Sequence, residues 1–136
     1  MQDPELLAVR DALVQQAKSF LTEAGQFRPF GAGLRADGSM VLLGADEDDD
    51  AAPAERVTRL EQAIRAQLAA GSLRVGGIGV DVQLRFSADT PPTDALHLRL
   101  RRPDGYAVDY YMTYRLAEDR LICDPLIEDA GSFAGE

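Results

Sequence analysis

Three groups of residues in this chain have the types and spacing to do chemistry. The stretch GAGLRA, Gly31 to Ala36, fits the fingerprint GxGxxG/A, in which glycines let the backbone approach a pyrophosphate and a helix N-terminus supplies the donors. That chemistry needs a strand before the glycines and a helix opening within them. Here a helical pattern precedes the motif, and the turn residues Asp37 and Gly38 follow it. Gly31 and Gly33 therefore read as one side of a hairpin arm, where a missing side chain admits a helix, another backbone or a partner. No cofactor is expected.

The second group is acidic. Asp46, Asp48 and Asp50 match the first three ligand positions of an EF-hand loop, but Ala51 stands where glycine is required and Val57 where the bidentate glutamate belongs. A solvated acidic loop over 46–53 is expected, and no metal. Nucleophiles are sparse: Cys123 sits beside Ile122 and Asp124, surroundings that suit an inert thiol. No serine lies in a GxSxG elbow.

The third group emerges from alternation. Ile78, Val80, Val82, Leu84 and Phe86 alternate with polar residues, as do Leu96, Leu98 and Leu100, and then Tyr106, Val108, Tyr110, Met112 and Tyr114. If helices cover these even-numbered faces, the opposite face carries Asp81, Gln83, Arg85, His97, Arg99, Arg101, Asp109, Tyr111, Thr113 and Arg115. The RPDGY turn sets Arg99 opposite Asp109 and His97 opposite Tyr111, a register held by the need to keep the leucines inward. Asp81, His97 and Asp109 would make an acid/base or metal cluster. Arginines on the same face favour a different reading, in which the carboxylates sit in cross-strand ion pairs and the surface suits a protein contact. The expected interaction face is Arg85, His97, Arg99, Arg101, Asp109, Tyr111 and Arg115, with no catalytic residue.

These side chains need elements to hold them. Asp3, Pro4 and Glu5 form an N-cap, a first-turn proline and a dipole-matched acid, and apolar residues from Leu6 to Ala24 recur at helical spacing up to the cap residue Gly25. Asp37 and Gly38 suit a two-residue hairpin turn that pairs Leu34 with Val41 and Ala32 with Leu43. Val57, Leu60, Ile64 and Leu68 mark a second helix ending at Gly71, with Glu61 and Arg65 at the i, i+4 spacing of an exposed pair. Three antiparallel strands follow. LICDPLI then reads as a short edge strand or packed tail because of Pro125, and 128–136 as a frayed end. The fold class is α+β: a single mostly antiparallel sheet of about five strands with two amphipathic helices on an apolar face, in the order α-β-β-α-β-β-β.

Composition bounds the function. A chain of 136 residues with 46% hydrophobic and 27% charged residues suits one globular domain. Apolar runs such as MVLLG are too short to span a bilayer, and no secretory signal is evident. One cysteine supports no disulfide framework, so a cytoplasmic location is expected. A net charge of -9 disfavours nucleic acid and anionic membranes, leaving another protein, in a homo- or hetero-oligomer, as the expected partner.

The segments FRPFGAGLRADGSM, GIGVDVQLRF and DALHLRLRRPDGYAVDYYMTY resemble a family of small bacterial proteins of unassigned function, over roughly residues 27–115. Pro29 to Gly31 and Val80 to Val82 carry most of that likeness. The element order resembles the roadblock and profilin-like arrangement, whose members are dimerising scaffolds for motors and small GTPases, although no third packed helix is evident at the C-terminus. Neither likeness carries an activity over to this chain.

Overall fold

The computed structural model describes residues 3–44, 52–85, 88–118 and 120–130. Helix α1 spans Pro4–Ala24, with the Asp3 carboxylate accepting the Glu5 N–H at 2.9 Å and the Leu6 N–H at 3.4 Å. It ends where Gly25 adopts a left-handed conformation and donates its N–H to the Leu21 carbonyl. Strands β1 (Phe30–Arg35) and β2 (Met40–Leu43) precede helix α2 (Pro53–Ala69), which is followed by β3 (Leu73–Leu84), β4 (Thr93–Arg101), β5 (Ala107–Ala117), β6 (Arg120–Cys123) and β7 (Ile127–Ala130).

All strand pairings are antiparallel, in the order β2-β1-β3-β4-β5, with β6 and β7 sharing the outer side of β5. The sheet has seven strands rather than about five. The extra strands come from the C-terminal segment, which Pro125 divides into two pieces that both pair with β5. Residues 128–130 of the tail expected to fray belong to β7; 131–136 lie outside the described residues. Of the acidic loop expected over 46–53, residues 46–51 lie outside them too, with Asp46, Asp48 and Asp50 of the partial EF-hand pattern, and Pro53 opens α2.

The helices lie on opposite faces of the sheet, not on one. Under α1, Leu6, Val9, Leu13 and Ala17 pack on Phe30, Ala32, Val75, Leu96, Leu98, Leu100 and Met112. Under α2, Leu60, Ile64 and Leu68 pack on Leu73 and Ile78, with Val41 and Leu43 alongside. Gly31 and Gly33 face α2: a Cβ at Gly31 would stand 3.5 Å from Leu60 Cδ2, and one at Gly33 would meet Leu73 Cδ2 at 2.7 Å. What approaches these glycines is a helix and a neighbouring strand of the same chain.

The β1–β2 and β4–β5 hairpins close with one device. In each, the residue before the loop accepts from a glycine three positions on and donates to the next residue: Gly38 to Arg35 and Arg35 to Ser39, Gly105 to Arg102 and Arg102 to Tyr106. Gly38 has φ 90° and Gly105 φ 92°, so each loop has three residues and a glycine bulge. The two-residue turn expected at Asp37–Gly38 is therefore corrected, and the register shifts by one: Leu34 faces Met40 and Gly33 faces Val41. The shift places Val41 and Leu43 on the α2 side with the glycines.

Candidate functional site

The β4–β5 register is as expected, with Arg99 opposite Asp109 and His97 opposite Tyr111. The β3–β4 register is not. Gly79 pairs with Leu98 and Val80 with His97, so Ile78, Val80 and Val82 share a face with Arg99, His97 and Ala95. Asp81 and Gln83 project to the α1 side. The physical reason lies in β3, whose α1-facing positions are Val75, Gly77 and Gly79; Leu13, Leu100 and Phe30 fill the space beside the glycines. The apolar alternation from Ile78 onward thus marks the α2 side. Arg85, one residue beyond β3, donates to the Thr90 carbonyl at 3.0 Å and lies off the face.

Helix α2 packs on β1 and β3, and the same side of the sheet continues beyond it across β4, β5 and β7. One rung runs Ile78, Arg99, Asp109, Asp129, and the next Val80, His97, Tyr111, Ile127. At its centre His97 Nε2 lies 2.7 Å from Asp109 Oδ2, and the His97 and Tyr111 rings stack with centroids 4.4 Å apart and planes 13° from parallel. Asp109 is only 1% exposed. A buried carboxylate on one edge of an imidazole and an aromatic face against its plane hold the ring in a single orientation. Burial, with Asp109 and Asp129 nearby, pushes the Tyr111 hydroxyl above its ordinary range, so at neutral pH the residue presents an uncharged donor.

Arg99 Nη1 donates to Glu61 Oε1 at 2.6 Å. Glu61 is buried and not on the exposed helix face expected from its spacing to Arg65; Arg59 and Glu55 make an exposed i, i+4 pair, at 2.8 Å. The contact ties α2 to β4 at the boundary of the open region. Arg101 stands half-buried at one end of that region and Arg115, opposite Ile122, is exposed at the other. Thr113 Oγ1 donates to Asp124 Oδ2 at 2.5 Å.

The structure thus brings together His97, Arg99, Arg101, Asp109, Tyr111 and Arg115, and separates Asp81 and Arg85 from them. It adds β7: Ile127, 53% exposed, and Asp129. The available signal is the short apolar pair Leu126–Ile127, set off by the adjacent proline. Among the described residues no group of three or more His, Cys, Asp and Glu is placed to hold a metal ion, and no helix is long and apolar enough to cross a membrane. Clefts of about 390 Å³, between Leu21 and Leu116, and about 360 Å³, between Leu6, Tyr106 and Tyr110, lie on the α1 side.

On that side Asp81 accepts the Tyr114 hydroxyl at 2.6 Å. Burial pushes its carboxyl up, against the opposing effect of this hydrogen bond. A carboxyl raised by folding contributes stability that is complete below the ordinary carboxylate range and lost as pH rises through the folded value. Asp81→Asn keeps an acceptor for Tyr114 and removes the desolvated charge. The variant should melt higher than the wild type near neutral pH and equally at about pH 3, where both forms of the position are uncharged; thermal melts at the two pH values measure this. Cys123, opposite Tyr114, is partly buried against the α1 core, and burial raises its thiol.

No family model matches the chain, and neither does any curated protein or solved structure.

Proposed function

We propose that the protein is a cytoplasmic, non-catalytic interaction module of the immunity, inhibitor or scaffold type, and that it binds another protein through the part of the sheet beyond α2. The observation that carries this reading is the His97–Tyr111 stack on buried Asp109, beside exposed Ile127 and flanked by Arg101 and Arg115. Aromatic and arginine side chains dominate binding energy at protein interfaces, and rings already fixed in place lose little conformational freedom on binding. The net charge of -9 favours a protein over a nucleic acid as the partner.

His97 is the chain's one histidine, so its ring resonances report on this face without ambiguity. A partner captured from the source cell should shift them. The double variant Tyr111→Ser/Arg115→Glu should bind that partner at least about tenfold more weakly, the loss of one modest hot spot, while keeping the wild-type circular dichroism spectrum. Equal binding by the variant, or unmoved His97 resonances in the complex, would refute the reading. The 2.7 Å His97–Asp109 contact also supports an alternative, an enzyme or small-ligand site in which His97 exchanges protons without Asp81. A small molecule that shifts the same resonances and is displaced by no protein would favour it.

A further inference from the structure

The sheet has two edges, and they differ in chemistry. On the outer side of β5, pairing is interrupted at Asp124–Pro125–Leu126, and the strands carry Arg120, Glu128 and Asp129. Charges, proline and short broken strands are the features by which a sheet resists pairing with another chain. The opposite edge, β2, is equally short but carries no charge and no proline and is not interrupted. Its four residues are Met40, Val41, Leu42 and Leu43, and its ladder with β1 runs from Gly31–Leu43 to Leu34–Met40 without a bulge.

The side chains of β2 divide by face. Val41 and Leu43 pack against the α2 cluster. Met40 and Leu42 share the face of Leu34 and Ala32, where α1 packs on β1, β3 and β4, and they remain 39% and 45% exposed. The edge thus combines outward-facing backbone groups with two apolar side chains on one side.

We infer that β2 pairs antiparallel with β2 of a second copy of this chain, about a twofold axis, joining the two sheets into one. With the axis at Val41, Met40 of each copy lies opposite Leu42 of the other, and the four side chains form one apolar cluster on the α1 side. Charge selects both the occupant and its direction. Residues 38–44 carry no charge in a chain of net charge -9, so a neutral edge meets a neutral edge. Parallel pairing would set the Leu43 ends of the two copies side by side, and the sequence that follows Leu43 in each is strongly acidic, Asp46 to Asp50. Antiparallel pairing sets the Leu43 end of each β2 beside the hairpin end of the other copy, where Arg35 is exposed and the Asp37 carboxylate is engaged by the Ser39 N–H and hydroxyl. Four-residue strands make a contact below the size of standard stable interfaces, so the dimer is weak and concentration-dependent.

Sedimentation of the full chain between about 1 µM and about 1 mM, the range of weak association, tests this. The wild type should pass from monomer to dimer. Leu42→Lys and Met40→Lys, both at exposed positions and both checked for wild-type melting temperature, should each raise the dissociation constant at least about tenfold. Tyr111→Ser/Arg115→Glu should dimerise as the wild type does, which separates this interface from the one proposed above. A monomer at every concentration overturns the inference, as does a dimer that survives both lysine variants or is lost in the Tyr111/Arg115 variant.

Discussion

Gly77→Val should cost about 3 kcal/mol in urea denaturation, enough to remove a large share of the stability of a domain this size. β3 is where the two layers meet the sheet, with α1 on one face and α2 on the other. A Cβ at Gly77 would stand 2.4 Å from Leu100 Cδ2, 2.8 Å from Leu13 Cδ1 and 3.2 Å from the Arg99 carbonyl oxygen. Both leucines are fully buried, and the carbonyl belongs to the neighbouring strand β4. None of the three can withdraw freely: moving Leu13 lifts α1 from the sheet, and moving Arg99 breaks the β3–β4 ladder. The midpoint should fall with little change in slope, because the surface exposed on unfolding stays the same, and Gly77→Ala should fall between wild type and valine. A Gly77→Val protein as stable as the wild type would mean that α1 does not seat on β3 as described.

Gly77 also shows where the sequence is legible and where it stops. Signals confined to one element read correctly. The caps at Asp3 and Gly25 bound α1 at Pro4–Ala24, and the RPDGY turn sets the β4–β5 register. The errors arise in the β1–β2 turn and in the facing of β3. Asp37–Gly38 and Asp104–Gly105 are the same dipeptide, and the RPDGY register is as expected, yet at Asp37–Gly38 only the hydrogen bonds around the turn reveal a loop of three residues instead of two. Strict alternation in β3 fixes that Ile78, Val80 and Val82 share a face, but not which face. Resolving that requires knowing that the glycines at 77 and 79 are filled from outside by Leu13, Leu100 and Phe30. The expected face lost Asp81 and Arg85 for this reason, and it gained Ile127 and Asp129 because β7 pairs with β5.

The center of the face survived because it rests on one hairpin. His97, Arg99, Asp109 and Tyr111 come from β4 and β5 alone, so a turn signal in RPDGY suffices to bring them together. That Asp109 is buried while Arg115 is exposed could not be read from alternation, which gives both the same side. Burial here depends on neighbouring strands: β4 and β7 flank Asp109 on both sides, and the His97–Tyr111 stack covers it, whereas Arg115 lies toward the end of β5 beside short β6.

Arg56→Ala should cost a further example of such long-range placement, about 3 kcal/mol from the loss of a buried charged donor serving two backbone acceptors. Arg56 is only 5% exposed. Its Nε donates to the Pro29 carbonyl at 2.6 Å, and its Nη2 donates to the Gly44 carbonyl. One guanidinium in the first turn of α2 thereby holds the entry to β1 and the exit from β2. Its partners stand 27 and 12 residues away in the chain, beyond the reach of any local pattern, although Pro29 begins the Pro-Phe-Gly segment that stands out in the sequence. Truncation leaves both carbonyls without this donor. Arg56→Lys should recover part of the loss, because an ammonium on a flexible stem replaces the planar fork that reaches both oxygens. Hydrogen exchange provides the second measurement: Arg56→Ala should speed exchange at the β2 amides while β4 and β5 keep their protection, because the contact is at the β1–β2 end of the sheet. Unchanged β2 protection together with a loss below about 1 kcal/mol, the worth of one ordinary hydrogen bond, would show that α2 and the hairpin are held together by the apolar contacts of Leu60, Val41 and Leu43 alone.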